Sequence, residues 1–182
     1  MRQRVDALVT LVDPIDHEEA LTRGLGSRME SFAILGDESA TFLRILARAP
    51  KYAEALWDAM AEALFEGGVD HSLKEMVRIQ LATKAEDPYF SGLRSKRATE
   101  AGLTEERIQS SLGDFAGDAQ FTAAEKWALE YAHRMYRTPA SVDAAFYEEG
   151  KQHWTEAQIM ELGGLVAIHH GMQVFMRTLR AS

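Results

Sequence analysis

The 182-residue chain contains no cysteine. Disulfides, thiolate nucleophiles, thiol peroxidase chemistry and Cys-ligated metal sites are excluded by that absence. Sustained period-2 alternation is missing too, and no Asn-Gly or Asp-Gly hairpin turn occurs, so β-structure has little to build on. The longest apolar run, Leu162–Ile168, falls far short of the ~20 residues of a membrane-spanning helix. A basic excess is also lacking. With 28 acidic against 20 basic side chains the formal net charge is −8, which repels phosphate backbones. The densest basic run, Arg94–Arg97, is followed by Glu100 and reads as a solvated helix face. Neither a nucleic-acid nor a membrane partner is expected. The first residues, MRQRVDALVTLVDPID, lack a signal-peptide core because Asp6 and Asp13 interrupt the apolar positions, and a cytoplasmic location is expected. Gly-x-Ser-x-Gly and Gly-x-Gly-x-x-Gly are absent, which sets aside a nucleophile elbow and a dinucleotide loop.

What the chain does have is helical spacing. A hydrophobic content of 46% with 26% charged residues fits one globular domain of this length. Tyr52, Ala55, Leu56, Ala59, Met60, Ala63 and Leu64 form one apolar stripe, opened by Pro50 and closed by Gly67-Gly68. Ser72 with Glu75, Thr122 with Glu125, and Thr155 with Gln158 each have capping-box spacing, while Thr104 reads as a simpler N-cap. Asp87 before Pro88 has the order of an N-cap followed by a first-turn proline. Helices are expected over 18–31, 39–48, 50–66, 72–85, 88–101, 104–112, 122–137, 141–150 and 155–179, joined mostly by short links. The expected class is all-α, with about eight to nine helices in two loosely related halves of one domain spanning 1–182. Its parts are an N-terminal helical extension (1–37), a core half (38–115) and a second half (121–180).

Metal-ligand patterns are sparse. Glu130 and His133 share a helix face, but no second Glu-x-x-His accompanies them, and the adjacent His169 and His170 diverge by about 100° on a helix. No metal site and no cofactor are expected. Proton-transfer candidates are richer. Glu75 sits among Met76, Val77, Ile79, Leu81 and Ala82, a density of apolar residues that implies burial on most sides. A carboxyl group in such surroundings can act as an acid or base; equally, Glu75 is the third residue of a capping box. Asp87 and Arg94 have the same double reading, as cap and solvated helix charge or as site residues. A weak internal echo aligns Ser72 with Thr155, Glu75 with Gln158, Asp87 with His170 and Phe90 with Gln173.

The segment Ser72–Leu103, SLKEMVRIQLATKAEDPYFSGLRSKRATEAGL, resembles the carboxymuconolactone decarboxylase and alkylhydroperoxidase D-like superfamily. Its redox members carry a glutamate, eleven residues, Cys-x-x-Cys, three residues and a histidine. Here Glu75 holds the glutamate position, Asp87 and Phe90 replace the cysteines, and Arg94 replaces the histidine. Tyr89, Ala98 and Gly102 keep their places. The resemblance extends over roughly residues 40–180. It implies the family's helical fold, self-association as trimers or hexamers, and a small-molecule substrate. Without cysteine the redox reaction is unavailable, so the resemblance points to the decarboxylase branch, working by acid–base chemistry on a small organic acid or lactone. On that reading Glu75, Asp87 and Arg94 are the catalytic candidates. Tyr89 and Phe90 shape the substrate pocket, with His169, His170 and Gln173 as further substrate-binding candidates from the second half. The alternative is a catalytically inactive ligand-binding or structural oligomer.

Overall fold

The computed structural model describes residues 45–178. In chain order the helices are α1 (Pro50–Phe65), α2 (His71–Lys84), α3 (Pro88–Gly92), α4 (Lys96–Glu100), α5 (Glu105–Leu112), α6 (Ala123–Arg137), α7 (Ala144–Gly150) and α8 (Glu156–Thr178). A 3-10 turn at Pro139–Ser141 joins α6 to α7, and no strand occurs among the described residues. None of the helices is long and apolar enough to cross a membrane. The helix expected at 18–31, most of that at 39–48, and the 1–37 extension lie outside the described residues.

Helix α2 is the axis of the structure, packing against α8, α6, α3, α5, α1 and α4. Every residue from Leu73 to Ala82 is buried, so this stretch of the helix has no solvent face. Four of those residues, Lys74, Glu75, Arg78 and Gln80, carry polar or charged side chains into the interior. Buried charge is tolerated only with a partner, and the folding of the neighbouring segments supplies the partners. Lys74 pairs with Glu161 of α8 and donates to the carbonyl of Glu66. Glu161 also accepts the backbone N–H groups of Gly68 (2.8 Å) and Val69 (3.1 Å), which ties the α1–α2 link to α8. Gly67 in that link has φ +97°, and a Cβ there would stand 2.4 Å from the Glu161 carboxylate.

The capping motifs mostly act as their spacing predicts. Thr122 and Glu125 form the reciprocal box at the start of α6, Thr155 and Gln158 do the same for α8, and Thr104 caps α5. At α2 the sequence reading needs correction. Asp70 is the N-cap, accepting from the N–H groups of Ser72 (2.9 Å) and Leu73 (3.2 Å). That starts the helix before Ser72 and releases Glu75 to the interior. The single helix expected over 88–101 is two, α3 and α4, with residues 93–95 non-helical. The carbonyls of Phe90 and Leu93, which would continue α3, are taken by the Arg78 guanidinium, and Ser95 restarts the chain as the N-cap of α4. The helix expected over 141–150 begins at Ala144, where Asp143 caps it by accepting from Phe146 N–H at 2.9 Å.

Candidate functional site

Glu75 and Arg78 lie three residues apart on α2 and therefore on one face. Arg78 Nε donates to Glu75 Oε2 and Nη2 to Oε1, both at 2.7 Å, a bidentate pair. The remaining guanidinium contacts are Nη1 to the Phe90 carbonyl and Nη2 to the Leu93 carbonyl, both at 2.8 Å. Glu75 Oε1 accepts a third hydrogen bond from the Ser95 backbone N–H at 2.8 Å. A carboxylate has about four lone-pair positions, so one on Oε2 remains after these three bonds. Burial disfavours the charged form of Glu75. The Arg78 charge and hydrogen bonds, with the Ser95 N–H, outweigh it and hold the carboxyl below the ordinary glutamate value. The outcome is an ionised carboxylate with no solvent exposure, oriented by groups from α2 and from the α3–α4 break.

Ser95 links this pair to His71. The His71 Nδ1 donates to the Leu64 carbonyl at 2.8 Å, because a carbonyl only accepts, and Nε2 lies 2.7 Å from Ser95 Oγ. Burial keeps the imidazole below its usual value despite the Leu64 carbonyl and the Glu75 charge. In the neutral ring Nε2 accepts, so the Ser95 hydroxyl donates to it while receiving the Ala98 N–H at 3.3 Å. From the other side α8 brings His169 into the field of Arg78 and Glu75. Burial, helped by the Arg78 charge, pushes its imidazole down to about 3 against the pull of Glu75. His169 is thus neutral at physiological pH.

The residues singled out in sequence fall in different places. Glu75 is the centre of the cluster, and His169 joins it from the second half. Asp87 is 1% exposed and caps α3, accepting the Phe90 N–H at 3.0 Å. Phe90 packs in the hydrophobic core, and Tyr89 lies in α3. Arg94 turns outward to a bidentate pair with Glu105 (2.8 and 3.0 Å) and donates to the carbonyls of Ser91 and Leu93. The hydrogen bond with Arg94 holds Glu105 down at about 2. Gln173 is buried on α8, whereas His170 lies edge-on to the Tyr136 ring, 4.8 Å between centroids. Arg78, Ser95 and His71 are the members that sequence reasoning missed. Arg78 was legible from its spacing to Glu75, but Ser95 and His71 join only through the break after α3. No three His, Asp or Glu side chains converge as a metal-ligand set among the described residues.

Two cavities lie elsewhere. One of about 300 Å³ is lined by Phe115, Trp127, Glu130, Arg134 and His153 among others; the other, of about 470 Å³, lies beside Tyr131, Tyr147, Ile159 and Met160. Neither touches Glu75, Asp87 or His169.

Residues 50–134 match the family described as Carboxymuconolactone decarboxylase family. No curated protein sequence matches the chain significantly. Among solved structures, the fold is similar to a Cys-to-Ala variant of the debrominase Bmp8 in complex with 2,3,4-tribromopyrrole. The TM-score is 0.77 at 17% identity, covering 94% of this chain and 90% of that one. Apo Bmp8 gives 0.75 at 17% identity, covering 95% and 91%. An uncharacterized peroxidase-related protein from Silicibacter sp. TM1040 gives 0.71 at 12% identity, covering 94% and 87%. The chain therefore has the alkylhydroperoxidase D-like helical fold, is similar over residues 50–134 to the carboxymuconolactone decarboxylase family, and lacks every cysteine.

Proposed function

We propose that the protein is a non-redox, cofactor-independent enzyme acting by acid–base chemistry on a small lactone or related carbonyl compound. The observation that carries this reading is the fully buried, ionised Glu75 carboxylate. It is fixed by Arg78 and the Ser95 N–H, keeps one oxygen lone pair, and acts electrostatically on the buried, neutral His169. A carboxylate held this way loses no orientation energy when a substrate arrives and acts in a low-dielectric setting, which strengthens its effect on a nearby proton. Glu75 takes the proton next to the carbonyl. His169, a neutral imidazole, serves as a hydrogen-bonding partner of the developing oxyanion and does not need to change charge. Arg78 is a positioning residue: it supplies the counter-charge that keeps Glu75 ionised.

Asp87 and Arg94 have no assigned step in this scheme. Asp87 caps α3 and Arg94 is engaged by Glu105 at the surface. One observation favours a second reading, an inactive ligand-binding protein that self-associates. The lowered proton affinity of Glu75 makes it a weaker base than an unperturbed glutamate.

A panel of small lactones and organic acids, incubated without added metal, nucleotide or thiol and followed by NMR, separates the two. Turnover of a lactone by the wild type, with a loss of at least a hundredfold in Glu75→Gln of native circular dichroism, supports the enzyme. His169→Gln gives a second variant that leaves the ion pair intact. No turnover across the panel, or undiminished turnover in both variants, overturns it. Peroxide consumption with a dithiol reductant is expected to be absent.

A further inference from the structure

Most polar groups buried near α2 are answered within the protein: Lys74 by Glu161, Glu75 by Arg78, His71 by Leu64 and Ser95. Four residues depart from that pattern: Gln80 Oε1 and His170 Nδ1 are buried without a hydrogen-bond partner, and so are atoms of His169 and Gln173, the pair that shares one face of α8. Nε2 of His169 and both amide atoms of Gln173 are sealed from solvent and receive no hydrogen bond from protein groups. The two residues are 4% and 1% exposed and stand four apart on α8, so they leave the helix from one face, one turn apart. Helix α8 packs on α2, and His169 lies in the field of Arg78 and Glu75. Burying unanswered polar atoms opposes folding, and a leucine at either position would not carry that cost. Since both amide atoms of Gln173 are bare, the conclusion does not depend on which way the amide is turned.

The chemistry of those atoms defines what answers them. Gln173 offers an N–H donor and a C=O acceptor side by side, and His169 Nε2 adds a third hydrogen-bonding atom. The charges that act on His169 already cancel, because Glu75 and Arg78 are paired one to one. An anion or cation entering there would lose its hydration with no counter-charge to replace it. A group with only acceptors would satisfy the Gln173 N–H and leave its carbonyl bare. We infer that Gln173 and His169 form a subsite for an uncharged group presenting a donor and an acceptor side by side, such as the N–H and C=O edge of a lactam or carboxamide. This rests on the reading of the Glu75 cluster as a small-molecule site and gives the ligand its polarity: neutral at this end, with an amide-like edge facing α8.

The test uses 2-pyrrolidinone, γ-butyrolactone (the same ring with oxygen in place of N–H) and butyrate. Each is titrated at millimolar concentration into the full-length protein and followed by protein-observed NMR. The expected result is saturable binding of 2-pyrrolidinone at least tenfold tighter than either of the others. Binding falls at least tenfold in Gln173→Leu and in His169→Phe, while Gln173→Leu melts at a higher temperature than the wild type. Equal binding of the lactone or butyrate, 2-pyrrolidinone binding unchanged in both variants, or no saturable binding of any probe overturns the subsite. Selective 2-pyrrolidinone binding without turnover of any lactone upholds the subsite and defeats the catalytic reading. Turnover without that selectivity does the reverse.

Discussion

Replacing Arg78 by methionine removes the counter-charge of Glu75 while keeping a long side chain in the space. The consequences can be worked from the contacts. Breaking a buried ion pair by deleting one partner costs roughly 3–5 kcal/mol, because the other charge is left without compensation. The carbonyls of Phe90 and Leu93 also lose their donor, at roughly 1–3 kcal/mol each, though effects this close together do not add fully. A loss of about 5 kcal/mol follows, against the ~5–15 kcal/mol that a domain of this kind has in total. The double variant Glu75→Leu with Arg78→Met leaves no bare charge and should lose less than Arg78→Met alone. Urea unfolding followed by circular dichroism measures both. The pH dependence adds a sign. In the wild type Glu75 titrates below its unfolded value, so its stabilisation is complete above about pH 4.5 and is lost as pH falls through the folded value. In Arg78→Met the main opposition to burial is gone and chiefly the Ser95 N–H remains, so the folded value rises. The variant then gains stability as pH drops toward 5 and loses it as pH rises. A cost below ~2 kcal/mol for Arg78→Met, or a double variant no more stable than the single one, would refute the ion-pair account.

His169 carries a separate acid response. Its imidazole is held at about 3 in the folded chain and titrates near 6.5 when unfolded. A lowered folded value makes stability fall as pH drops from 6.5 toward 3, by about 2.5 kcal/mol between pH 6 and pH 4. His169→Gln should flatten that part of the stability curve measured by urea unfolding; an unchanged slope would remove His169 from the buried cluster. At the other end of α8, Glu161→Gln removes the charge facing buried Lys74 and weakens two backbone hydrogen bonds. It should destabilise by roughly 3 kcal/mol, with a shift in urea midpoint as the readout. Gly67→Ala combines a positive φ with a Cβ 2.4 Å from the same carboxylate. It should cost at least ~1 kcal/mol.

The helical architecture was readable because its signals are local. The capping pairs Thr122–Glu125 and Thr155–Gln158 sit three residues apart, and each satisfies its own helix end whatever the rest of the chain does. The failures occur where a distant group overrides a local preference. Residues 88–101 have helical spacing throughout, yet Arg78, twelve and fifteen residues earlier in the chain, takes the Phe90 and Leu93 carbonyls and splits the helix. Ser72 and Glu75 have the spacing of a box, but Asp70 precedes them and caps the helix first.

The candidate site divides along the same line. Glu75 could be picked out because its apolar neighbours announce burial, and buried it is. Arg94 was a catalytic candidate because it holds the motif's histidine position; its guanidinium forms a bidentate pair with Glu105, eleven residues on and beyond any short-range pattern. Arg78 fills the pairing role from one turn away on the same helix. His169 and Gln173 were named from the second half of the chain; α8 packs on α2, and His169 lies in the field of the ion pair.

The central claim is that Glu75 is an ionised, enclosed carboxylate serving a thiol-free small-molecule site. Carboxyl-carbon NMR of Glu75, followed through a pH titration and then with lactone added, tests it most directly. The account predicts a midpoint below the 4.5 of an ordinary glutamate and a Glu75 resonance that moves when a lactone is added. A midpoint at or above that value, or a resonance indifferent to every lactone, contradicts it.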